Sequence, residues 1–368
     1  MNRLVALALG GGERFVAELQ RAWDAGDAVL PVDQRLPAPA QESLIERMGV
    51  SVVVDSTGRH RRRGGWDVEP CDALVMATSG STGDPKGAVL THAAIEANAM
   101  ATSSALAVDP STDRWLACLP LAHVGGLAVV VRALLTDTPL GVHDGFDAAA
   151  VEAAARQGAT LTSLVPTALA RIDPSAFRAI LLGGSAMPAQ RPANTVATYG
   201  MTETFSGVVY EGWPLDGVDL RIRNDEVQLR CPMLLRCYRD GTAPRTEDGW
   251  YPTGDAGALA EDGQLSVFGR VDDMITTGGE KVWPVVVERI LADLPDISDA
   301  AVVGRPDPEW GHAVTAVVVP TDRAQPPELG ALRDAVKEHL PAYCAPQALE
   351  VVKELPRTPL GKTQRWRL

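Results

Sequence analysis

Two periods of apolar residues alternate along the first half of the chain, one typical of helices and one of buried strands. Phe15, Leu19 and Ala22 recur at helical spacing within residues 15–25, so one face of that segment is apolar. Short, largely apolar runs at residues 28–32 and 50–54 predict buried strands. The same reasoning predicts strands at residues 74–77, 115–119 and 180–182, and helices at residues 93–106, 127–135 and 148–157. This alternation favours an α/β fold in which helices cover a largely parallel sheet.

The pattern changes after residue 218, where short strands follow one another without helices between them. Residues 220–223, 227–230 and 265–268 predict these strands, and polar turns at Asn224-Asp225 and Asp262-Gly263 favour antiparallel pairing. Beyond Arg270, the pattern predicts helices at residues 285–293 and 328–339 and strands at residues 300–303 and 313–319. We therefore expect a large α/β domain over residues 1–271 with a β-rich subdomain, followed by a small mobile α+β domain over residues 272–368.

Composition narrows the classes of function. With 34 Lys and Arg against 47 Asp and Glu, the 368-residue chain carries a net charge of −13. That sign argues against a nucleic-acid partner, because phosphate backbones require a basic face. No apolar run approaches the roughly 20 residues that a membrane span needs. The five cysteines form no C-x-x-C pair, which disfavours a disulfide framework or a zinc site and predicts a cytoplasmic protein. The oligomeric state stays open, with a homodimer as one option.

The segment TSGSTGDPKG, residues 78–87, carries the strongest chemical signal. It follows a short apolar strand, precedes a predicted helix, and packs three glycines, four hydroxyl residues and one lysine into ten positions. Glycines let backbone amides approach phosphate oxygens, hydroxyls donate further hydrogen bonds, and a lysine adds a point charge. The spacing is not that of a Walker loop, and a flexible turn is the alternative. The candidate phosphate ligands are Thr78, Ser79, Gly80, Ser81, Thr82, Gly83 and Lys86.

This loop closely resembles the phosphate-binding signature of the adenylate-forming superfamily, which includes acyl-CoA synthetases, adenylation domains and luciferases. Further matches follow in the superfamily's order and cover nearly the whole chain: LPLAHVGG (119–126), LLGGSAMP (181–188), YGMTET (199–204), YPTGD (251–255), FGRVDDMITTGGEKVWP (268–284) and PRTPLGKTQR (356–365). The resemblance implies the superfamily's fold and reaction. A carboxylate attacks the α-phosphorus of ATP, pyrophosphate leaves, and a thiol such as that of CoA then attacks the acyl-adenylate.

The same resemblance assigns most of the matched polar residues to ATP. It implies that Lys86 and its loop hold the β- and γ-phosphates and that Glu203 binds Mg²⁺. Asp255 would accept hydrogen bonds from both ribose hydroxyls, which suits an acceptor-only carboxylate, with Arg270 assisting. A turn aspartate and a surface ion pair are the alternatives for these two residues. The adenine and the α-phosphate are assigned to Gly183, Gly184, Ser185, Tyr199, Gly200, Thr202 and Thr204.

Four further assignments concern the C-terminal segment. Lys362 matches the catalytic lysine that bridges the carboxylate and the α-phosphate during adenylation, although an isolated tail lysine is usually only solvated. Asp272 occupies the superfamily's hinge position, where the small domain would rotate between the two half-reactions. Gly278 and Gly279 would line the tunnel for the CoA arm in the second step. Trp310 would pack against CoA, with a core tryptophan as the alternative.

Two features bear on the acid. The phosphate loop begins at residue 78, and this abbreviated front end resembles the short o-succinylbenzoate–CoA ligases of actinobacterial menaquinone synthesis. Arg132 interrupts an apolar helix nine residues after His123. It fits an arginine that meets a second carboxylate, with an ion pair or a snorkelling side chain as alternatives. His123 would gate the aryl pocket, and Ser206 and Gly207 are further wall candidates. The expected function is o-succinylbenzoate–CoA ligase; another aryl- or fatty-acid–CoA ligase, or a non-catalytic nucleotide-binding relative, are the alternatives.

Overall fold

The computed structural model describes residues 2–78, 85–185, 187–188, 190–357 and 363–368. The strands up to residue 182 are β1 (Leu4–Leu7), β2 (Ala28–Pro31), β3 (Val52–Asp55), β4 (Gly58–Arg61), β5 (Asp72–Thr78), β6 (Lys86–Thr91), β7 (Trp115–Ala117), β8 (Leu140–Val142), β9 (Leu161–Leu164) and β10 (Ala179–Leu182). Those that follow are β11 (Thr195–Gly200), β12 (Gly207–Tyr210), β13 (Trp213–Pro214), β14 (Asp219–Arg223), β15 (Glu226–Arg230), β16 (Cys237–Tyr238), β17 (Tyr251–Leu259), β18 (Leu265–Arg270), β19 (Ile275–Thr277), β20 (Glu280–Val282), β21 (Ile297–Asp307), β22 (Gly311–Pro320) and β23 (Ala348–Val351).

The α-helices lie between these strands and each buries an apolar face. They are α1 (Glu13–Asp24), α2 (Ala38–Arg47), α3 (His92–Ala105), α4 (Val124–Leu135), α5 (Ala148–Arg156), α6 (Pro166–Leu169), α7 (Pro284–Ala292) and α8 (Leu329–His339). In α1 the predicted residues Phe15, Leu19 and Ala22 are the buried ones. In the described part of the chain, no helix combines the length and the apolarity that crossing a bilayer requires.

The described chain divides into two units. The first comprises Met1–Met187, Pro192–Leu220 and Leu229–Tyr251, and the second Pro188–Arg191, Arg221–Gln228 and Pro252–Leu368. The predicted boundary after residue 271 falls inside the second unit, so the boundary itself stays a prediction. Each unit has its own apolar core, as a separately folding segment requires.

Two mixed sheets build the first unit. One has the strand order β16-β6-β5-β2-β1-β3-β4, and the other β13-β12-β11-β10-β9-β7-β8. Strands β8, β7, β9, β10 and β11 run parallel, whereas β12 and β13 are antiparallel at one edge. Parallel strands with helices between them were predicted from the sequence, and this α/β arrangement is confirmed.

The second unit is richer in strands. It contains the sheet β14-β15-β17-β18, the hairpin β19-β20 and the sheet β21-β22-β23. Helices α7 and α8 bury Val287, Leu291, Leu332 and Val336 in a core formed with the last of these sheets. Both the β-rich segment and the α+β C-terminal segment agree with the predicted fold class.

One local prediction was wrong. The glycine-rich loop was expected to lead directly into a helix, but residues 86–91 form β6, which pairs antiparallel with β5. Helix α3 begins only at His92, where the Thr91 hydroxyl oxygen accepts a hydrogen bond from the Ala94 backbone N–H at 3.1 Å. A threonine N-cap of this kind satisfies one of the free amides in the first turn and so fixes where the helix starts.

Candidate active site

Several predicted site segments lie at one edge of the second sheet. Gly183 follows directly after β10, Gly200 ends β11, and the segment carrying His123 follows β7. Because β7, β9, β10 and β11 are parallel, their carboxyl ends share one edge. In open α/β sheets, ligands bind in the crevice outside that edge. The structure therefore brings together segments that are up to about 80 residues apart in sequence.

Glycines are required where the predicted adenine segment turns away from β10. A Cβ atom on Gly183 would lie 2.5 Å from the Thr198 hydroxyl oxygen, and Gly184 has a φ of +83°. The Thr198 hydroxyl donates a hydrogen bond to the Leu182 carbonyl at 3.2 Å, which ties this turn to the neighbouring strand. Ser185 is exposed, and Tyr199 lies half-buried on β11 opposite Val209. Packing against Thr198 and the positive φ thus require glycine at these two positions, and the assignment to adenine stays a prediction.

The predicted phosphate loop connects two paired strand ends. Thr78 and Lys86 are partners across β5 and β6, and the Thr78 hydroxyl donates to the Lys86 carbonyl at 3.3 Å. The Lys86 side chain is exposed and can therefore reach an anion. The predicted ligands Ser79, Gly80, Ser81, Thr82 and Gly83 lie outside the described residues.

Glu203 sits in a polar cluster that sequence reasoning missed. The Tyr238 hydroxyl donates a hydrogen bond to Glu203 Oε1 at 2.8 Å and lies 3.3 Å from the Tyr251 hydroxyl. The Lys86 Nζ atom is 5.2 Å from the centre of the Tyr238 ring, a distance at which a cation is attracted to the ring face. Burial, together with the negative charge of Glu203, raises the pKa of Tyr238 to about 12, so its hydroxyl stays a donor. Tyr238 therefore links the predicted phosphate lysine to the predicted metal ligand.

The loop that carries Glu203 is tightly held. Gly200 could not bear a side chain, since a Cβ atom there would lie 2.1 Å from the Ser206 carbonyl oxygen. Thr204 is fully buried, and its hydroxyl donates to the Ser206 carbonyl at 2.7 Å. Phe205 is also buried and adopts a φ of +62°, which for a non-glycine residue requires support from packing. Thr202 is half-buried at the start of this turn. The phosphate roles of Thr202 and Thr204 stay predictions.

The residues present fit a single magnesium ion. Glu203 is half-buried, and Tyr238 is the described donor to one of its two carboxylate oxygens, which are the ligands that Mg²⁺ prefers. Among the described residues, no group of three or more His, Cys, Asp or Glu side chains could hold a metal by itself. Mg²⁺ is usually held by one or two carboxylates together with substrate phosphates, so a lone glutamate suits that use.

Arg132 is a buried cation with unused donors. Its side chain is 0% exposed, and Nη2 donates to the Ser206 hydroxyl at 2.6 Å. The guanidinium carbon lies 5.7 Å from the centre of the Trp115 ring. Within the described residues, Nε and Nη1 have no hydrogen-bond partner and no carboxylate forms an ion pair with the group. Both alternatives raised by the sequence, a snorkelling side chain and a structural ion pair, are therefore wrong for the described structure.

The Arg132 guanidinium has a hydroxyl partner but no carboxylate partner among the described residues. Burial lowers the pKa of Arg132, but a guanidinium remains charged in proteins. Burying such a charge without a counter-charge costs several kcal/mol or more, and a carboxylate beside the group would offset that cost. Gly207, next to Ser206, is closely packed: a Cβ atom there would lie 2.8 Å from the Tyr210 ring and 2.9 Å from the Thr198 Cβ. The predicted pocket residues Arg132, Ser206 and Gly207 are thus neighbours.

His123 is held by a pair of charged residues that the sequence did not reveal. Its Nε2 atom lies 3.2 Å from Asp33 Oδ2 and 2.9 Å from Arg35 Nη2. Burial lowers the pKa of His123, and the Arg35 charge acts in the same direction. Asp33 and Arg35 follow β2, and only the fold brings them to the residue that precedes α4.

In the second unit, the predicted ribose pair is adjacent. Asp255 and Arg270 are partners across β17 and β18, and Arg270 Nη1 donates to Asp255 Oδ1 at 3.0 Å. Gly254 precedes Asp255 with a φ of +70°, and a Cβ atom there would lie 2.4 Å from Arg270 Nη2. The two side chains therefore meet over a position that only glycine can occupy. Their role at a ribose stays a prediction.

The predicted CoA residues also meet. Gly278 has a φ of +57°, and a Cβ atom there would lie 2.7 Å from the Trp310 ring. The Gly278 backbone N–H donates to the Trp310 carbonyl at 2.9 Å, and the adjacent Gly279 is exposed. Trp310 is 45% exposed, so the alternative of a core tryptophan is wrong. Asp272 lies exposed in the one-turn helix Val271–Asp273, and Lys362 lies outside the described residues.

Known proteins resemble this chain over most of its length. The family model of the AMP-binding enzyme matches residues 65–233, and that of the AMP-binding enzyme C-terminal domain matches residues 286–362. A probable 2-succinylbenzoate–CoA ligase of Mycobacterium tuberculosis is 40% identical over 82% of this chain and 85% of its own. An indoleacetate–CoA ligase of Aromatoleum aromaticum is 33% identical over 96% of this chain and 76% of its own.

Solved structures of the same kind of enzyme also resemble this chain. The o-succinylbenzoate CoA synthetase of Bacillus subtilis in complex with its acyl-adenylate intermediate is 26% identical, with a TM-score of 0.87 over 99% of this chain and 87% of that one. The same enzyme in complex with ATP and magnesium ion, also 26% identical, has a TM-score of 0.86 over 100% of this chain and 89% of that one.

Proposed function

Because the chain belongs to the family of AMP-binding enzymes, we propose that it is a 2-succinylbenzoate–CoA ligase. It converts 2-succinylbenzoate, ATP and CoA into 2-succinylbenzoyl-CoA, AMP and diphosphate, as a step of menaquinone synthesis. The enzyme class rests on the family, whereas the acid rests on one observation about this chain. That observation is the buried guanidinium of Arg132, which has unused donors and no carboxylate partner among the described residues.

A dicarboxylic acid matches that guanidinium. One carboxylate of 2-succinylbenzoate reacts with ATP, and the other needs a counter-charge once it leaves water. Arg132 supplies the charge, with two nitrogen atoms free to donate among the described contacts. A monocarboxylic acid would leave the guanidinium unpaired, and sites built around a polar group discriminate strongly against ligands that lack the matching group.

The first step brings two anions together, so the positive groups carry most of the catalysis. We assign the β- and γ-phosphates to Thr78, Lys86 and the loop between them. The acid carboxylate attacks the α-phosphorus, and Lys362 bridges the two reactants as the charge moves. The remaining nucleotide contacts are assigned as the sequence predicts: Gly183, Gly184, Ser185, Tyr199, Gly200, Thr202 and Thr204 for the adenine and α-phosphate, and Asp255 and Arg270 for the ribose.

Glu203 is the proposed magnesium ligand. Bound Mg²⁺ would neutralise phosphate charge and orient the triphosphate for in-line displacement. Tyr238 supports this role because its hydrogen bond fixes one carboxylate oxygen and leaves the other oxygen without a described donor. Partners of this kind orient a metal ligand and tune its affinity.

Replacing Tyr238 with phenylalanine tests that support. We expect the apparent affinity for Mg²⁺ in the adenylation step to fall about 10-fold, since a hydrogen bond to a charged group contributes roughly 1.5 kcal/mol. The measurement is pyrophosphate release against Mg²⁺ concentration. Tyr343→Phe removes the hydroxyl of an exposed tyrosine and serves as the matched control. An unchanged Mg²⁺ dependence in Tyr238→Phe would remove this role.

Asp272 is the proposed hinge, and Gly278, Gly279 and Trp310 are the proposed CoA contacts. Asp272→Pro should slow thioester formation more than adenylation, because proline fixes φ at a residue whose backbone must change between the two steps. The exposure of Asp272 in a one-turn helix predicts that this variant still folds. Rates of both half-reactions equal to those of the unaltered enzyme would eliminate the hinge.

An aryl monocarboxylic acid is the main alternative to 2-succinylbenzoate as the substrate. The indoleacetate–CoA ligase matches more of this chain than the succinylbenzoate ligase does, although at lower identity. An aryl monocarboxylate would leave Arg132 without a partner, so the buried guanidinium favours the dicarboxylic acid.

We place the reaction in the cytoplasm, where ATP and CoA are available. All five cysteines are free, in keeping with a reducing compartment. A homodimer stays a prediction.

Pyrophosphate release over a panel of carboxylic acids, with and without CoA, tests the proposal. We expect 2-succinylbenzoate to give the highest kcat/KM, with CoA needed for multiple turnovers. Release with none of the acids would indicate a non-catalytic nucleotide binder. Strong turnover of long-chain or monocarboxylic aryl acids, with none of 2-succinylbenzoate, would eliminate the proposed substrate.

Two matched acids sharpen the panel. The acid 4-oxo-4-phenylbutanoate lacks the ring carboxylate, and 2-butanoylbenzoate lacks the chain carboxylate. Only the acid that retains the reacting carboxylate should turn over, and it should do so at least about 100-fold less efficiently than 2-succinylbenzoate. The pair thus identifies which carboxylate reacts and measures the contribution of the other one.

A further inference from the structure

Asp33 and Arg35 follow β2 and form a bidentate ion pair, the fork. Arg35 donates to Asp33 through Nε at 2.9 Å and through Nη2 at 2.7 Å, and the Arg35 backbone N–H donates to the same carboxylate at 3.0 Å. The hydrogen bond from Arg35 lowers the pKa of Asp33 to about 2, so the pair stays charged. Bidentate pairs have a defined geometry, so the second N–H of Nη2 and the free lone pairs of Oδ2 point in defined directions.

Both side chains of the fork also contact His123. Arg35 Nη2 lies 2.9 Å from His123 Nε2, and Asp33 Oδ2 lies 3.2 Å from the same nitrogen. His123 immediately precedes α4, the helix that carries Arg132. A pair 88 and 90 residues away in the chain therefore contacts the imidazole at the start of this helix.

The two contacts require different states of the imidazole. A guanidinium only donates, so the contact with Arg35 needs an Nε2 atom that accepts, as in one neutral tautomer. The carboxylate only accepts, so the contact with Asp33 needs a proton on Nε2. One nitrogen cannot do both at once, so the protonation of Nε2 decides which of the two contacts is a hydrogen bond. Asp33 and Arg35 are the charged groups described around the ring.

We infer that Asp33 and Arg35 are positioning residues for His123, holding its ring against the bound acid and so setting the affinity for the acid. This inference rests on the proposed function, because it takes the crevice beside α4 as the acid site. A pair that only stabilised the loop after β2 would leave both the imidazole and the acid affinity unchanged. The difference is measurable in two independent ways.

The first test needs no substrate. Histidine titrations are followed by NMR in the full-length chain, and His123→Gln assigns the His123 signal. Arg35→Met should raise the pKa of His123 by about one unit, because the ring keeps an adjacent carboxylate and loses a cation. Asp33→Asn should lower that pKa, because the carboxylate is lost. The other five histidines report whether each variant is folded. An unchanged His123 titration in both variants would overturn the inference.

The second test is kinetic. Arg35→Met should raise KM for the acid about 10-fold, with kcat and the KM for ATP within about two-fold of the unaltered enzyme. Arg35→Lys should recover part of the affinity, since lysine can still donate to Nε2 but cannot form the bidentate fork. Arg21→Met removes an exposed arginine from α1 and is the matched control. Equal increases in KM for ATP and for the acid would contradict the inference.

The two proposals can fail separately. The kinetic test uses whichever acid of the panel gives the highest turnover. If 2-succinylbenzoate is inactive, the proposed substrate is wrong, whereas opposite pKa shifts in the two variants would still support the positioning pair.

Discussion

Replacing Arg132 with leucine should lower kcat/KM for 2-succinylbenzoate by about 10²–10³-fold, because the second carboxylate would enter an apolar site without a counter-charge. The KM for ATP should stay unchanged. Tm should hold or rise, since an apolar side chain replaces a buried cation that has no carboxylate partner among the described residues. Steady-state kinetics and a thermal melt on the same sample measure both effects.

Two comparisons separate this effect from general damage. Arg114→Leu changes an exposed arginine one residue before Trp115 and should leave kcat/KM within about two-fold. The reactive monocarboxylic analogue should lose little activity in Arg132→Leu, so the selectivity between the two acids should collapse. Equal losses for both acids would show that Arg132 supports the fold of the pocket and not the second carboxylate.

Lys362→Ala should slow adenylation by about 10²–10³-fold, comparable to the loss of one preorganised charge donor. Thioester formation from supplied acyl-adenylate and CoA should be largely spared, since the bond between the carboxylate and the α-phosphate already exists in that substrate. Pyrophosphate release measures the first step, and formation of the acyl-CoA measures the second.

A second lysine provides the control for this variant. Lys353 is exposed in the same unit, nine residues earlier, and Lys353→Ala should leave both half-reactions unchanged. If Lys362→Ala slowed both steps equally, the assignment of Lys362 to adenylation would be contradicted.

The fold was predictable where the apolar pattern within a single segment specifies its secondary structure. The apolar face of α1 and the nearly continuous apolar run of α4 specify buried helices, and both lie within a few residues of the predicted bounds. Strand β6 was missed because the glycine-rich loop resembles a strand-to-helix turn. The hairpin is revealed by the antiparallel pairing of β5 with β6, which extends from Thr78 and Lys86 to Asp72 and Thr91 and so involves residues outside the loop.

In the site, too, residues with a local sequence signal were predictable and contacts between distant residues were not. Arg132 was a candidate from sequence because a charge in an apolar helix is costly and needs a reason. The contacts of Tyr238 with Glu203, and of Arg35 with His123, join residues 35 and 88 positions apart. No spacing rule connects such residues, since the tertiary fold alone brings them together. Asp33 and Arg35 could have been suspected from their place after a parallel strand, where binding residues gather.

A crystal structure of the enzyme with a non-hydrolysable 2-succinylbenzoyl-adenylate analogue tests the central claim most directly. We predict that the free carboxylate of the acyl group lies about 3 Å from the Arg132 guanidinium, the distance of a charge-assisted hydrogen bond. A bound analogue whose free carboxylate faced solvent, or lay against another cation while Arg132 stayed unpaired, would contradict the account.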